Sequence, residues 1–310
     1  MPDAVLFMPF IASFALTLAL TPFLAAEFAR RGIVGVDLHK ADRRAVPEMV
    51  GVAILLGLLT SFLLYYGLSG DRKILWAALL VLLVGLVGVA DGLKRLSPLQ
   101  KVSSLSIIGT LLIPFAEPTI LGHDLGWAYL LVLPILFMAG SNFTNMLAGF
   151  NGMEIGTGAI ASLGLALVAY GRSTTALAIS LGLSGALLAF LLFNRYPARA
   201  FPGDVGTLPI GAALVAAMVM GELEIQGLII FGPYILDAAL KYLSVGIMTR
   251  EYQRPTVLKD GKLYIPEGGN LSLPRLLLRA RPMGERELVY GVWALEIVAC
   301  AMALAVGVSL

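Results

Sequence analysis

Cysteine is all but missing from the sequence. Its one occurrence, Cys300, lies inside an apolar run, so the chain has neither a disulfide framework nor a Cys-based metal site. Histidine is nearly as scarce: His39 and His123 have no second His or Cys at ligand spacing, and both read as loop residues. Charge is thin as well. Only 14% of residues are charged, against about 25% in soluble domains, and a net charge of +2 leaves no excess field for nucleic acid. Hydrocarbon takes the place of charge: 58% of the chain is hydrophobic and the mean hydropathy is +0.88. The 34 glycines fit helices packed closely in lipid, where Gly is more frequent than in soluble helices. The expected fold class is an all-α polytopic membrane protein.

A membrane span needs about 20 apolar residues. Runs of this kind fall near Val5–Ala26, Met49–Leu68, Ile74–Ala90, Val102–Phe115, Trp127–Phe143, Gly158–Tyr170, Thr174–Phe193, Gly206–Met220, Ile225–Met248 and Leu288–Leu310. No positive segment precedes the first, which reads as a retained helix and not as a cleaved signal. About ten transmembrane helices follow, and an even count puts both termini on one side. Loops on the other side hold 18 of the 22 Lys and Arg. The positive-inside rule makes that face cytoplasmic and the termini external. The cytoplasmic stretches 27–48, 91–101, 145–157, 194–205 and 249–287 are expected to form the active site of a single integral membrane domain covering residues 1–310.

Polar residues concentrate in those stretches. Of five Asn, three (Asn142, Asn145 and Asn151) fall within ten residues at the end of the fifth run, where their amides need partners or a ligand. Interhelical hydrogen bonding is the simpler explanation, but Gly149, Gly152 and Gly156 in the same stretch also permit close backbone approach to a ligand. Asp204 stands at the entrance of the eighth run, where a helix cap and a ligand for a hard cation compete as roles. Asp91 with Lys101, and the segment Gly35-Val-Asp-Leu-His-Lys40 with Glu48, complete four loops that mix acids, amides and bases on one face. Basic groups and a hard cation beside a bilayer suit an anionic, phosphate-bearing substrate.

At these loops the sequence resembles the polyprenyl-phosphate N-acetylhexosamine-1-phosphate transferase family, above all its eukaryotic and archaeal dolichyl-phosphate GlcNAc-1-phosphotransferase branch. The resemblance rests on Gly35-Val-Asp-Leu-His-Lys40 with Pro47-Glu48, Ala90-Asp91 with Lys101, Asn142-x-x-Asn145-Met-Leu-Ala-Gly-Phe-Asn-Gly-Met-Glu154, and Asn194-Arg-Tyr-Pro-Ala-Arg-Ala-Phe-Pro-Gly-Asp204. It implies transfer of a sugar 1-phosphate from a UDP-sugar donor to a polyprenyl or dolichyl phosphate acceptor in the membrane lipid, with release of UMP, as the first step of lipid-linked glycan assembly. It also implies Mg²⁺ as cofactor, with Mn²⁺ as a substitute. Residue by residue, Asp204 and Asn145 take the role of metal ligands, Asn151 and Phe201 that of the uracil-recognising pair, Lys101 that of a pyrophosphate contact. Asp91 matches the first acid of an Asp-Asp pair and Glu48 an acid near the phosphates. Arg250, with Arg254 second, is the expected pyrophosphate clamp of the last loop. An aromatic ring can stack on a base, an amide can read its edge, and a Lys can neutralise phosphate.

Two features depart from the family pattern. The second Asp of the pair is Gly92, and the last loop, Thr249-Arg-Glu-Tyr-Gln-Arg254, carries arginines but no His, which bears on sugar specificity. Asp260-Gly261 within Thr256–Ile265 predicts a small cytoplasmic β-hairpin lid with a type I′ turn between the ninth and tenth runs. Leu273–Arg281 suits an interfacial helix. Asp237 and Lys241, four residues apart in an apolar helix, are expected to pair. The sequence allows a homodimer without specifying one. Two other functions stay open: a transporter or flippase of a phosphorylated substrate, whose site would sit near the bilayer midplane, and an inactive relative with a binding role, which Gly92 raises.

Overall fold

The structure, a computed structural model, describes residues 3–38, 43–117, 119–120, 123–124, 126–246, 255–268 and 270–309. Among these, helix α1 (Asp3–Arg30) leads into strands β1 (Val34–Val36) and β2 (Ala45–Pro47), followed by α2 (Val52–Ser69), α3 (Lys73–Lys94) and α4 (Pro98–Gly109). A 3₁₀ turn (Thr110–Phe115) extends α4, and β3 (Thr119–Ile120) and β4 (His123–Asp124) precede α5 (Gly126–Met146), α6 (Met153–Ala169), α7 (Thr174–Asn194) and α8 (Asp204–Met220). The chain ends with α9 (Glu224–Ile230), α10 (Gly232–Val245), β5 (Val257–Lys259), β6 (Lys262–Tyr264), α11 (Leu273–Ala280) and α12 (Glu285–Ser309).

Among the described residues each of the ten apolar runs is helical, but the ten are not equal as spans. Seven are single helices long and apolar enough to cross a membrane, counting α4 with its 3₁₀ extension. The ninth run is broken: α9 and α10 meet at 59°. The helices α6 and α8 have 17 residues each, about 25 Å of rise. Every residue of α8 from Val205 to Met220 is buried, as befits a helix that is apolar all round and packs on α3, α5 and α7. Its neighbours, not lipid, cover it.

The elements alternate between two ends of the bundle. At one end, Asp71 before α3 accepts from the Thr175 hydroxyl of α7, and Arg172 in the α6–α7 turn donates to the Gly307 carbonyl of α12. Tyr129 of α5 donates to Glu224 of α9 over 2.7 Å at a buried position. The residues that line the cavity described below gather at the opposite end.

The predicted hairpin forms: β5 pairs antiparallel with β6, Val257 opposite Tyr264. Asp260 and Gly261 carry φ of +49° and +73°, the two positive values that a type I′ turn requires. Leu263 is buried and its N–H bonds the Met283 carbonyl at 2.9 Å, which docks the hairpin beside α12. The 27–48 stretch, expected as an irregular loop, also contains a hairpin, with Val34 opposite Pro47 and Val36 opposite Ala45. Helix α6 begins at Met153, five residues before the apolar run, because Glu154 in its first turn lowers local hydropathy while suiting a helix N-terminus.

Candidate active site

Three helices deliver the central charges. Helix α4 starts with a capping box: the Gln100 N–H bonds Ser97 Oγ at 3.2 Å and the Ser97 N–H bonds Gln100 Oε1 at 2.9 Å, with Pro98 in the first turn. This fixed start places Lys101 one residue further on, facing α3 and α8. Its Nζ lies 2.8 Å from Oδ2 of Asp91, whose side chain is 3% exposed, and forms a second ion pair with Oδ2 of Asp204.

Asp204 is the first residue of α8, and the hydrogen bonds of its carboxylate run to Lys101 and Asn145, not to the helix N–H groups. The two roles that compete in the sequence are thereby separated: the carboxylate faces Lys101, and Asn145 Nδ2 approaches it at 3.3 Å. Gly88 makes this possible, since a Cβ there would come within 2.6 Å of the Asp204 backbone. One turn along α8, the Thr207 hydroxyl donates to Asn145 Oδ1 at 2.7 Å and so fixes that amide. An amide oxygen has a second lone pair, so Asn145 keeps an acceptor for a ligand.

Asn151 lies in the α5–α6 connection, 5% exposed, and three remote segments hold its neighbourhood. Its Nδ2 donates to Oδ2 of Asp37 at 2.9 Å, and its backbone N–H to Oε1 of Glu285, in the first turn of α12, at 2.8 Å. The next N–H, of Gly152, bonds Asn194 Oδ1 at 3.1 Å. Phe201 extends the β1–β2 edge: its N–H bonds the Pro47 carbonyl at 2.8 Å and its carbonyl accepts from Val50 at 3.0 Å. Its ring and the Glu48 carboxylate flank Gly35, where a Cβ would lie 3.2 Å from each.

These groups line one cavity of about 870 Å³ at this end of the bundle. Asp91, Lys101, Asp204, Asn145, Asn151, Glu48 and Phe201 all face it, as do Asp37 and Thr207, to which the sequence alone gave no role. On the side of the last loop, Lys241 pairs with Asp237 at 2.7 Å and donates to the Met146 carbonyl, while Asp237 Oδ1 accepts the Leu273 N–H at 2.9 Å, anchoring α11. Arg275 of α11, another wall residue not foreseen as a site residue, is held by Asn270 through Nη1 bonds of 2.6 and 2.8 Å; burial lowers its pKa from the usual arginine value. Arg250 and Arg254 lie outside the described residues.

The described residues contain no group of three or more His, Cys, Asp and Glu that could hold a metal ion. What they do contain is two carboxylates, Asp91 and Asp204, turned onto one positive centre, with an amide oxygen close by. That donor set fits a hard dication, which takes one or two carboxylates and completes its shell with water and substrate phosphate.

Residues 74–222 match the family described as Glycosyl transferase family 4. A provisionally named glycosyltransferase of Methanocaldococcus jannaschii is 42% identical over 94% of this chain and 93% of its own length. A provisionally named UDP-N-acetylglucosamine–dolichyl-phosphate N-acetylglucosaminephosphotransferase of Saccharolobus solfataricus is 28% identical over 96% and 95%. The phospho-N-acetylmuramoyl-pentapeptide-transferase of Shouchella clausii is 31% identical over 76% of this chain and 81% of its own.

Proposed function

The chain belongs to glycosyl transferase family 4, the multi-pass membrane enzymes that transfer hexosamine 1-phosphate to polyprenyl phosphate, and on that premise we propose that it transfers N-acetylglucosamine 1-phosphate from UDP-N-acetylglucosamine to a dolichyl-type phosphate. UMP is the second product. The observation that carries this reading is the placement of Lys101 between Asp91 and Asp204 in a cavity at the helix ends, away from the bilayer midplane where a transporter would bind. By the positive-inside rule, the basic residues of the same loops support a cytoplasmic site with the termini outside.

In the proposed reaction an oxygen of the acceptor phosphate bonds to the sugar-bearing phosphorus. The P–O bond to the uridine phosphate breaks, and its electron pair leaves with UMP. A phosphate monoester has its second pKa near 6, so the acceptor is largely a dianion at neutral pH and attacks without a protein base. Catalysis then consists of positioning and charge neutralisation. Lys101 neutralises the pyrophosphate, Arg250 and Arg254 clamp it, and Glu48 orders the groups beside it. Phe201 stacks on the uracil while Asn151 reads its edge. Asp91 holds Lys101 in place. Asp204 and Asn145 would hold Mg²⁺ or Mn²⁺, which would supply further charge neutralisation at the pyrophosphate. The β5–β6 hairpin covers the donor.

UMP release from UDP-N-acetylglucosamine, measured with the full-length protein, a dolichyl-type phosphate and Mg²⁺, tests the reading. Release that requires both substrates is expected. Transport without release, or binding without turnover, would overturn it, and UDP-N-acetylgalactosamine or UDP-MurNAc-pentapeptide turned over in preference would reassign the donor.

A further inference from the structure

We infer that Asp37 is a positioning residue that makes the site selective for bases carrying an imide N–H, the uracil type, over cytosine. The inference rests on the reading of Asn151 as the base-recognising amide and adds what sets that amide's direction. An Asn side chain has a donor end and an acceptor end of nearly equal shape, and which end faces a ligand depends on what holds the other. Here the holder is a carboxylate: Asp37 Oδ2 lies 2.9 Å from the Asn151 amide, with both side chains about 95% buried. A carboxylate only accepts, so the NH₂ is turned to Asp37 and Oδ1 is the end left to face the cavity that both residues line.

An acceptor at that point matches the N3–H of uracil. Cytosine presents an acceptor at N3, and two acceptors facing each other leave both unsatisfied in a partly desolvated site. The backbone cannot rotate to compensate, because the Asn151 N–H is bonded to Glu285 and the following N–H to Asn194. Asp37 touches no reacting atom on this account. It acts through Asn151, and its signature is base selectivity, not turnover.

Dissociation constants of UMP and CMP for the purified full chain test this. The wild type is expected to favour UMP, and Asn151→Ala to abolish the preference. Asp37→Asn offers Asn151 either a donor or an acceptor, so the amide direction is no longer imposed, and the UMP preference should fall by about tenfold or more. Adding Asn151→Asp to Asp37→Asn should restore it, because the introduced amide can donate to one carboxylate oxygen and leave the other facing the base. If Asn151→Ala keeps the preference, the reading of Asn151 itself fails. If Asn151→Ala loses it while Asp37→Asn keeps it, Asp37 alone is misassigned. Should the Asp37→Asn protein bind neither nucleotide, rescue by the double exchange upholds the inference and lack of rescue overturns it.

Discussion

The ammonium of Lys101 and the carboxylate of Asp91 meet at 2.8 Å although they belong to different helices, joined by a turn that the Ser97–Gln100 capping box sets. The pair is nearly buried, and Asp204 completes it from 103 residues further along the chain. Two acids and one base therefore share a largely desolvated position.

Lys101→Met should stop UMP release and also destabilise the fold, since removing one partner of a buried ion pair costs about 3–5 kcal/mol. Adding Asp91→Asn should return most of the melting temperature but none of the turnover. Thermal unfolding and UMP release, measured on both variants, separate the two contributions. Recovered turnover in the double variant would reduce Lys101 to a counter-ion.

Asp204→Asn should abolish activity while the protein stays folded, because the carboxylate bonds Lys101 and Asn145 and no helix N–H, and Lys101 keeps Asp91 as its partner. Chelation of divalent cations should silence the wild type, with Mg²⁺ or Mn²⁺ restoring it. Turnover in the variant would remove the metal assignment.

Phe201→Ala should weaken nucleotide binding by about 1–3 kcal/mol, the range for stacking an aromatic on a base. The backbone bonds of Phe201 to Pro47 and Val50 do not depend on the ring, so the local fold should persist. An unchanged UMP dissociation constant would mean that the ring only packs beside Glu48.

Gly92→Asp should change the rate by less than about tenfold, whereas a missing general base is typically worth about 10²–10⁴-fold. The new Cβ would meet the Met49 thioether at 2.8–2.9 Å, and a flexible methionine end can move aside. The pH profile should agree: turnover rising through the second phosphate pKa near 6 as the dianion forms, then level. A rate gain of about a hundredfold in Gly92→Asp would revive proton transfer by the protein.

Much of this site could be read from the sequence because its residues sit in long local motifs. Asn145, Asn151, Phe201 and Asp204 were identifiable from the residues around them, and Asp260-Gly261 from the turn geometry that it imposes. The links between motifs could not be read that way. Nothing near Asp37 or Glu285 announces that both bond Asn151, 114 and 134 residues away, and Thr207 is tied to Asn145 only by the packing of α8 on α5. The helical runs could be read as well, whereas the break at Phe231 and the enclosure of α8 arise from tertiary packing that hydropathy does not encode. The β1–β2 hairpin escaped notice because its three-residue strands are too short for an alternation to register.

The bonds to Asn151 join the first loop, the middle of the chain and the start of the last helix at one point. A nucleotide seated on Asn151 would thus engage parts of the chain that come together only in the folded protein, and its binding energy would be added to the stability of the whole bundle. By mass action a ligand at 100 times its dissociation constant contributes about 2.7 kcal/mol. The melting temperature should therefore climb with uridine nucleotide concentration, so heat resistance would report donor occupancy even where the lipid acceptor is absent.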